Sequence, residues 1–206
     1  GPQACVLRGA ALAGMPELIA GLAEVLARAP FRQMVTPGGQ TMSVALTNCG
    51  ALGWTSDRRG YRYTPLDPLS GEPWPAMPPA FLQHAGAWAR QAGFDGFQPD
   101  ACLINRYLPG TRLSLHQDRN ERDLGAPIVS ASLGAPAVFL FGGPARSDRP
   151  EKVLLEHGDV AVWGGVDRLR FHGVMPLKEA PDHLFQSMPH PLLQGQRVNL
   201  TLRKAG

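Results

Sequence analysis

The sequence contains only three cysteines, Cys5, Cys49 and Cys102, which lie far apart in the chain. This number and spacing exclude a disulfide framework and a CxxC metal or redox pair. Lysine is equally scarce, since seventeen of the twenty basic residues are arginine. Guanidinium groups favour bidentate recognition of carboxylates or phosphates, but an arginine-rich codon usage is the simpler explanation of the composition alone.

Long apolar runs are also missing, since no stretch approaches the roughly 20 residues that a membrane span needs. The first residues lack the basic and apolar regions of a signal peptide, and we expect a cytoplasmic protein, since a reducing compartment suits unpaired cysteines. Because the sequence opens on Gly1-Pro2 rather than Met, we interpret residues 1–2 as a remnant of protease cleavage. There is no internal repeat and no low-complexity tract.

The chain has 206 residues, of which 44% are hydrophobic and 18% are charged, and this length and composition predict one folded domain rather than a disordered chain. Apolar residues at helical spacing predict a helix that begins at Pro16 and ends before Pro30, and a second helix from about Pro79 to Gly93. The intervening segment from Phe31 to Pro78 is rich in Gly and Pro. We expect hairpins and loops there that expose its aromatic residues Trp54, Tyr61, Tyr63 and Trp74.

The C-terminal half consists of short apolar segments separated by turn signals, which predict antiparallel strands. The eight predicted strands are Cys102–Leu108, Leu113–His116, Ile128–Leu133, Ala137–Phe141, Val153–Glu156, Val160–Trp163, Leu169–Phe171 and Arg197–Arg203. Eight such strands favour a jelly roll, so the predicted fold class is α+β, mainly β. We expect residues 3–97 to form the supporting helices and a lid, and residues 98–206 the β core of the same domain.

A His-x-Asp pattern ends one of these strands. His116 and Asp118 lie two positions apart, and His172 ends a later predicted strand. Residues two apart on a strand share a face, so a converging imidazole and carboxylate with one distant histidine would form the facial triad that binds Fe(II) and leaves open positions for other ligands. His84, His183 and His190 lie in a helix or a Pro-rich loop, and we expect them at the surface.

A second His-x-Asp pattern, His157-Gly158-Asp159, lies between two apolar strands. Glycine between them is typical of a tight turn in which the aspartate bonds to nearby backbone. We therefore interpret this copy as structural.

The last predicted strand places Arg197, Asn199, Thr201 and Arg203 on one face. If that face lies inside a barrel, the two arginines need a dicarboxylate ligand or internal carboxylates as partners. A strand with this face in water is the simpler interpretation of the pattern by itself. On an earlier strand, Asn105 and Tyr107 share a face and can each donate to a carboxylate, although Tyr107 also fits as a core aromatic residue.

Taken in order, Asn-x-Tyr, His-x-Asp, His and Arg-x-Asn-x-x-x-Arg resemble the AlkB family of Fe(II)- and 2-oxoglutarate-dependent nucleic-acid dealkylases. The segments Pro30–Gly39, Phe97–Tyr107 and Leu155–Val160 are similar to bacterial members, and the resemblance covers nearly the whole chain. It implies a double-stranded β-helix core, an enzyme that uses Fe(II), 2-oxoglutarate and O2, and a monomer. The implied iron ligands are His116, Asp118 and His172, and the implied 2-oxoglutarate ligands are Asn105, Tyr107, Arg197, Asn199 and Arg203, with Arg197 on the distal carboxylate.

The resemblance also implies a nucleotide-recognition lid from about Phe31 to Trp74. The implied reaction removes alkyl groups from bases such as 1-methyladenine and 3-methylcytosine in single-stranded DNA, with double-stranded DNA or RNA as further substrates. Its products are formaldehyde, succinate and CO2, so the implied role is direct-reversal DNA repair. The implied substrate contacts are Trp54, which would stack on the damaged base, together with Tyr61, Tyr63, Asn120 and Arg146.

The chain departs from the family pattern at three places. Asn120 stands where bacterial relatives usually have an acidic residue, which softens the expected preference for cationic lesions. Gln40 stands in the lid where an aromatic residue is familiar. The loop Asp182–Leu193 is longer than usual, and we interpret it as a surface insertion.

Three alternatives remain open from the sequence. In the first, the same dioxygenase chemistry serves RNA, including transfer RNA, or a protein or lipid, although a peptide hydroxylase does not need Trp54 and Tyr61 as a stacking platform. A cupin-type metal barrel would leave the paired arginines unexplained. A non-catalytic nucleic-acid-binding module would not need the triad.

Overall fold

A computed structural model describes residues 1–179 and 190–206 of the chain. Within these ranges the helices are α1 (Met15–Arg28) and α2 (Pro79–Gln91), with short 3-10 turns at Gly165–Asp167 and Pro191–Leu193. The strands are β1 (Ala4–Leu7), β2 (Arg32–Val35), β3 (Thr41–Gly50), β4 (Gly53–Asp57), β5 (Gly60–Thr64), β6 (Ala101–Tyr107), β7 (Leu113–His116), β8 (Ile128–Gly134), β9 (Ala137–Phe141), β10 (Glu151–Leu155), β11 (Val160–Trp163), β12 (His172–Val174) and β13 (Arg197–Arg203).

The strands form two antiparallel sheets and a separate hairpin. The large sheet has the order β1-β11-β8-β13-β6-β3-β2, and the small sheet has the order β10-β9-β12-β7. Among the described strands, β4 and β5 pair only with each other. Neighbours in the sheets are mostly distant in sequence, which is the mark of Greek-key connections. The predicted mainly-β jelly roll is therefore confirmed.

The two helices cover the outer face of the large sheet. In α1 the residues Leu18, Leu22 and Val25 are buried, and they recur at the spacing that places them on one side of a helix. Proline lies in the first turn of each helix, where its missing N–H group costs no helical hydrogen bond. Apolar residues of both helices join β6, β8, β11 and β13 in the main core. Both predicted helices are confirmed.

A second core fills the space between the two sheets. It contains Phe139 and Phe141 from β9, Trp163 from β11 and Tyr107 from β6. The hairpin strand β4 contacts β2, β3 and β6. A cavity beside this core is lined by residues of both sheets and of the hairpin. No helix within the described ranges is long and apolar enough to cross a membrane.

The sequence prediction is wrong about the position of one strand and about the exposure of one tryptophan. The strand expected at Leu169–Phe171 lies instead at His172–Val174, because the backbone that pairs with β7 and β9 begins at His172. Trp74, expected to be exposed, is 3% exposed, since its Nε1–H donates to the carbonyl of Thr64 and Arg32 lies over its ring.

The turn at His157-Gly158-Asp159 is structural, as predicted. The Asp159 carboxylate accepts hydrogen bonds from the backbone N–H groups of Glu156 and Gly9, and it pairs with Arg8. Gly158 has a φ of +87°, which favours glycine. His157 accepts a hydrogen bond from the backbone of Gly134 at 3.0 Å.

Two of the histidines expected at the surface are half-buried. His84 is half-buried and stacks on Trp88, and His190 is half-buried beside the second 3-10 turn. His183 and most of the loop Asp182–Leu193 lie outside the described residues.

Candidate active site

Three metal-ligating side chains converge between the sheets. His116 ends β7, His172 begins β12, and these two residues are paired neighbours in the small sheet. Asp118 follows His116 by two positions. The Nε2 atoms of the two histidines lie 3.7 Å and 3.6 Å from the Asp118 carboxylate oxygens, and the possible ligand atoms all lie within 4.8 Å of one another. The predicted cluster is confirmed as a group that can hold a metal ion.

Backbone carbonyls orient both imidazole rings. The Nδ1 of His116 lies 2.8 Å from the carbonyl of Ser114, and the Nδ1 of His172 lies 3.0 Å from the carbonyl of Arg170. A carbonyl only accepts, so each Nδ1 carries the proton and each Nε2 presents its lone pair to the cluster. This is the usual outer-shell arrangement of metal-ligating histidine.

The electrostatic environment of the cluster favours binding of a cation. The pKa of His116 is lowered to about 4, mainly by desolvation and secondly by the neighbouring His172, so the ring is neutral. Burial alone would raise the pKa of Asp118, but Arg203 and the two histidines hold that pKa well below its usual range. Neutral histidines and an ionised carboxylate are the protonation states in which these groups bind metals.

Arg203 links Asp118 to a buried ionic network. Its Nη2 lies 2.5 Å and its Nε 3.0 Å from Oδ2 of Asp118. Glu121 lies on its other side, 3.5 Å from Nε, and also contacts Arg168 at 3.2 Å. The Tyr63 hydroxyl of the hairpin donates to Glu121 at 2.7 Å. The hairpin is therefore connected to the metal-ligating carboxylate through Glu121 and Arg203.

The cluster opens into a cavity of about 830 Å³ between the two sheets. The face of β13 predicted to carry Arg197, Asn199, Thr201 and Arg203 lines this cavity, and every residue of β13 is buried. The interpretation of this face as water-exposed is therefore wrong, because β13 is a central strand between β8 and β6.

Arg197 is the buried cation of this cavity that has no carboxylate partner. It is 1% exposed, its Nη2 donates to the Ser132 hydroxyl at 2.9 Å, and its guanidinium lies over the Tyr107 ring. Its Nε and Nη1 have no hydrogen-bond partner among the described residues. Burial lowers its pKa. A buried, incompletely satisfied guanidinium favours a carboxylate ligand in the same cavity.

Other polar groups surround Arg197. Asn105 and Tyr107 line the cavity from β6, as predicted from their shared face, and burial raises the pKa of Tyr107 to about 12, so its hydroxyl stays protonated. Asn199 is held by the hydroxyls of Ser130 and Thr201, at 2.8 Å and 2.6 Å. The cavity therefore presents buried, fixed polar groups around Arg197 in addition to the ligand cluster.

Two aromatic residues of the hairpin line the cavity. Trp54 and Tyr61 stack with ring centroids 5.5 Å apart and an interplanar angle of 16°, and both line the cavity. The Asn48 side chain brackets the backbone of Trp54 with two hydrogen bonds of 3.0 Å. Tyr61 is 48% exposed. Together they form a stacked aromatic pair in the lining of the cavity that also contains the metal-ligating cluster.

Most of the other residues that the sequence singles out for the substrate site line the cavity, but one does not. Asn120, Arg146 and Gln40 line the cavity, and Arg146 is oriented by a hydrogen bond to the carbonyl of Leu115. Tyr63 does not line it, because its hydroxyl turns to Glu121. The sequence pattern does not identify Asn48, Glu121 and Arg168 as residues of the site. The signal was weak, since an isolated asparagine on a strand and a Glu three residues after Asp118 show no pattern of their own.

Comparisons with known proteins agree with this geometry. Residues 6–203 match the model of the 2OG-Fe(II) oxygenase superfamily. The alpha-ketoglutarate-dependent dioxygenase AlkB of Escherichia coli strain K12 is 56% identical over 203 residues, which cover 98% of this chain and 90% of that protein.

Two further relatives extend the comparison. The DNA N(6)-methyladenine demethylase ALKBH1C of Arabidopsis thaliana is 34% identical over 174 residues, 74% of this chain and 38% of that protein. A solved structure described as the structure of OsALKBH1 superposes with a TM-score of 0.76 at 28% identity and covers 98% of each chain. The match to the superfamily model and the high identity to the bacterial protein over nearly the full length show that this chain belongs to the AlkB family of 2-oxoglutarate- and Fe(II)-dependent oxygenases.

Proposed function

We propose that this chain is an oxidative dealkylase that removes alkyl groups from the ring nitrogens of bases in single-stranded DNA. The observation that carries the proposal is the convergence, in one cavity, of the His116–Asp118–His172 cluster, the unpartnered Arg197 and the stacked pair Trp54–Tyr61. Each meets one requirement of the reaction: a metal site, a site for a dicarboxylate, and a surface for a base. The proposed role is direct-reversal repair of alkylated DNA.

The residues fit the cofactors that the family uses. Two imidazole nitrogens and one carboxylate suit Fe(II) and leave coordination positions for other ligands. Arg197 offers a charge-assisted pair of hydrogen bonds to one carboxylate of 2-oxoglutarate. We propose that Asn105, Tyr107, Asn199 and Arg203 complete that site. When bound, Fe(II), 2-oxoglutarate and O2 supply the oxidation of an alkyl C–H bond to C–OH, with release of succinate and CO2.

The chain's own contribution is to position and to hold charge. Arg203 keeps Asp118 ionised and fixed, and the Ser114 and Arg170 carbonyls keep both Nε2 atoms aimed at one point. A hydroxymethyl group on a ring nitrogen breaks down to formaldehyde and the unmodified base. When the base is cationic, the hydroxyl proton leaves to solvent, the C–O bond becomes the C=O of formaldehyde, and the electrons of the broken C–N bond return to the ring nitrogen, so the base becomes neutral.

The hairpin supplies recognition of the base. A base must leave its stack to bring an N-methyl group into the cavity, and this costs least in single strands and at damaged bases. Stacking of a base on an aromatic residue contributes about 1–3 kcal/mol. A base made cationic by N1 or N3 methylation gains further cation–π attraction on Trp54. We propose that Tyr61, Asn120 and Arg146 contact the same nucleotide, and that Tyr63 supports the hairpin through Glu121.

The organisation and setting of the enzyme form part of the proposal. We propose that residues 3–97 supply the helices and lid and residues 98–206 the catalytic core of one domain. The free cysteines of the structure, Cys5, Cys49 and Cys102, fit a reducing cytoplasm, and we propose a monomer. The second candidate substrate is RNA, including transfer RNA, because the stacking platform accepts any base.

The test is mass spectrometry of a short single-stranded DNA that carries 3-methylcytosine. The protein is loaded with Fe(II) and 2-oxoglutarate under anaerobic conditions and then exposed to air, with Asp118→Ala as the control. The proposal predicts loss of one CH2 unit that requires Fe(II), 2-oxoglutarate, O2 and Asp118. If succinate forms while DNA of any lesion stays methylated and methylated RNA is repaired, RNA replaces DNA as the substrate. If neither DNA nor RNA loses the methyl group, the proposal is wrong.

A further inference from the structure

A second pocket lies on the opposite face of the large sheet from the active-site cavity. It has a volume of about 260 Å³ and is formed by β2, β3, β6 and the residues beside them. On β6, Asn105 and Tyr107 point into the active-site cavity, and Arg106 between them points into this second pocket. Of the described residues that line the two spaces, Ser43 alone is shared, so they adjoin at β3.

Two arginines that line this pocket each carry a buried N–H donor without an acceptor. The Nε atoms of Arg32 and Arg106 are buried and have no hydrogen-bond partner among the described residues. Among the described residues Arg197 is the other arginine with this property, and it lies where a carboxylate ligand is proposed. Buried polar groups in folded proteins are almost always hydrogen-bonded, so two orphan donors in one pocket indicate a missing acceptor.

The charge of the pocket is also uncompensated. Arg32 is neutralised, because its two terminal nitrogens pair with Asp67 at 2.6 Å each. Arg106 forms no ion pair within residues 1–179 and 190–206, and its guanidinium lies over the Phe31 ring at 5.1 Å. No acidic side chain is among the described residues that line the pocket. One net positive charge, fixed by stacking on Phe31, therefore faces it.

We propose that this pocket binds a phosphate group through Arg106 and the Nε–H of Arg32. Both residues present N–H donors in a fixed plane, and a phosphate offers several acceptor oxygens that two such donors can share. The pocket is larger than one phosphate, so the group can arrive attached to a sugar. Its source is either a nucleic-acid strand that passes β3 beside the active-site cavity or a free phosphate. The inference does not depend on the dealkylation reaction.

The first test follows the arginine Nε–H resonances by NMR while inorganic phosphate is added to the protein in the presence of 2-oxoglutarate. The signals of Arg32 and Arg106 are expected to shift together, and the signal of Arg197 is expected to stay in place. In Arg106→Gln, the phosphate concentration needed to shift the Arg32 signal is expected to rise by about tenfold or more. Arg28→Gln makes the same charge change at an exposed position of α1 and should titrate like the wild type.

Gln33→Glu keeps the test decisive if Arg106→Gln does not fold. Gln33 is exposed at the rim of the pocket, so the new carboxylate repels phosphate without disturbing buried packing. Phosphate affinity should fall as it does in Arg106→Gln. If the Arg32 and Arg106 signals do not respond to phosphate, or if Gln33→Glu titrates like Arg28→Gln, the pocket holds water or an adventitious ion only and the proposal is overturned.

The second test separates the two sources of phosphate. The affinity for an undamaged single-stranded oligonucleotide is measured at several salt concentrations. If the strand occupies the pocket, Arg106→Gln should reduce the slope of log affinity against log salt by about 0.7, the value for one phosphate contact on a single strand. An unchanged slope with a retained NMR response identifies free phosphate as the ligand and supports the site in that form.

Discussion

Replacing Arg197 by methionine should raise the stability of the metal-free protein and abolish its response to 2-oxoglutarate. Methionine keeps most of the length of the side chain and removes a buried charge with two unpartnered nitrogens. The loss is one hydrogen bond to Ser132, about 1 kcal/mol, and a stack on Tyr107 of about 0.5–2 kcal/mol. The gain is relief from desolvation of an unpaired cation, which costs several kcal/mol.

The net gain in the free energy of unfolding is about 1–2 kcal/mol. For a chain of this length each kcal/mol shifts Tm by about 2–4 °C, so the variant should melt about 2–8 °C higher than the wild type. The same change removes two charge-assisted hydrogen bonds to the ligand, about 3 kcal/mol together, which weakens the Kd for 2-oxoglutarate by about a hundredfold. At a 2-oxoglutarate concentration of about 100 times the wild-type Kd, binding raises the free energy of unfolding of the wild type by about 2.7 kcal/mol, and the variant should lose almost all of this stabilisation.

The assay is thermal unfolding followed by circular dichroism, with and without Mn(II) and 2-oxoglutarate. Mn(II) occupies the ligand cluster without turnover. Arg28→Met is the matched control, since Arg28 is exposed at the end of α1 and the change should leave both melting curves in place. If Arg197→Met melts lower than the wild type and is still stabilised by 2-oxoglutarate, then Arg197 is not the unpaired buried cation that binds the ligand.

Three further predictions concern the base and the cluster. Trp54→Ala should raise KM for a methylated oligonucleotide by about tenfold or more, because about 1–3 kcal/mol of stacking is lost, and should leave 2-oxoglutarate affinity unchanged in a binding titration. Asn120→Asp should raise kcat/KM for 3-methylcytosine relative to the neutral adduct ethenoadenine, since a carboxylate favours a cationic base; equal effects in a competition assay contradict it. The pKa of His116 is lowered in the folded state, to about 4 against about 6.5 unfolded, so the metal-free protein keeps this stability above about pH 6.5 and loses it as the pH falls toward about 4. Urea unfolding across that range should show a steeper loss in the wild type than in His116→Gln.

The sequence predicts the fold well wherever one local pattern decides the structure. The bounds of β7, β9, β11 and β13 are predicted correctly, because turn residues flank short apolar or alternating segments. The strand β12 is misplaced, since His172-Gly173-Val174 carries no local signal and becomes a strand only by pairing with β7 and β9. Trp74 is likewise buried by contacts with distant residues.

The partners of buried charges are the part of the site that the sequence does not reveal. The pattern predicts that Arg197 and Arg203 share a face, and they do. It does not tell which arginine pairs with an internal carboxylate, because Asp118 reaches Arg203 only through the packing of two sheets. The links from Glu121 to Tyr63 and Arg168 depend on tertiary contacts in the same way.

The most direct test of the central claim is the fate of isotopically heavy O2 during repair of a 3-methylcytosine oligonucleotide. The account predicts that one heavy oxygen atom enters succinate for each methyl group removed, that formaldehyde is released in equal amount, and that Asp118→Ala forms neither product. Removal of the methyl group with unlabelled succinate, or with no succinate at all, would contradict the claim that this cavity couples oxidation of 2-oxoglutarate to oxidation of the base.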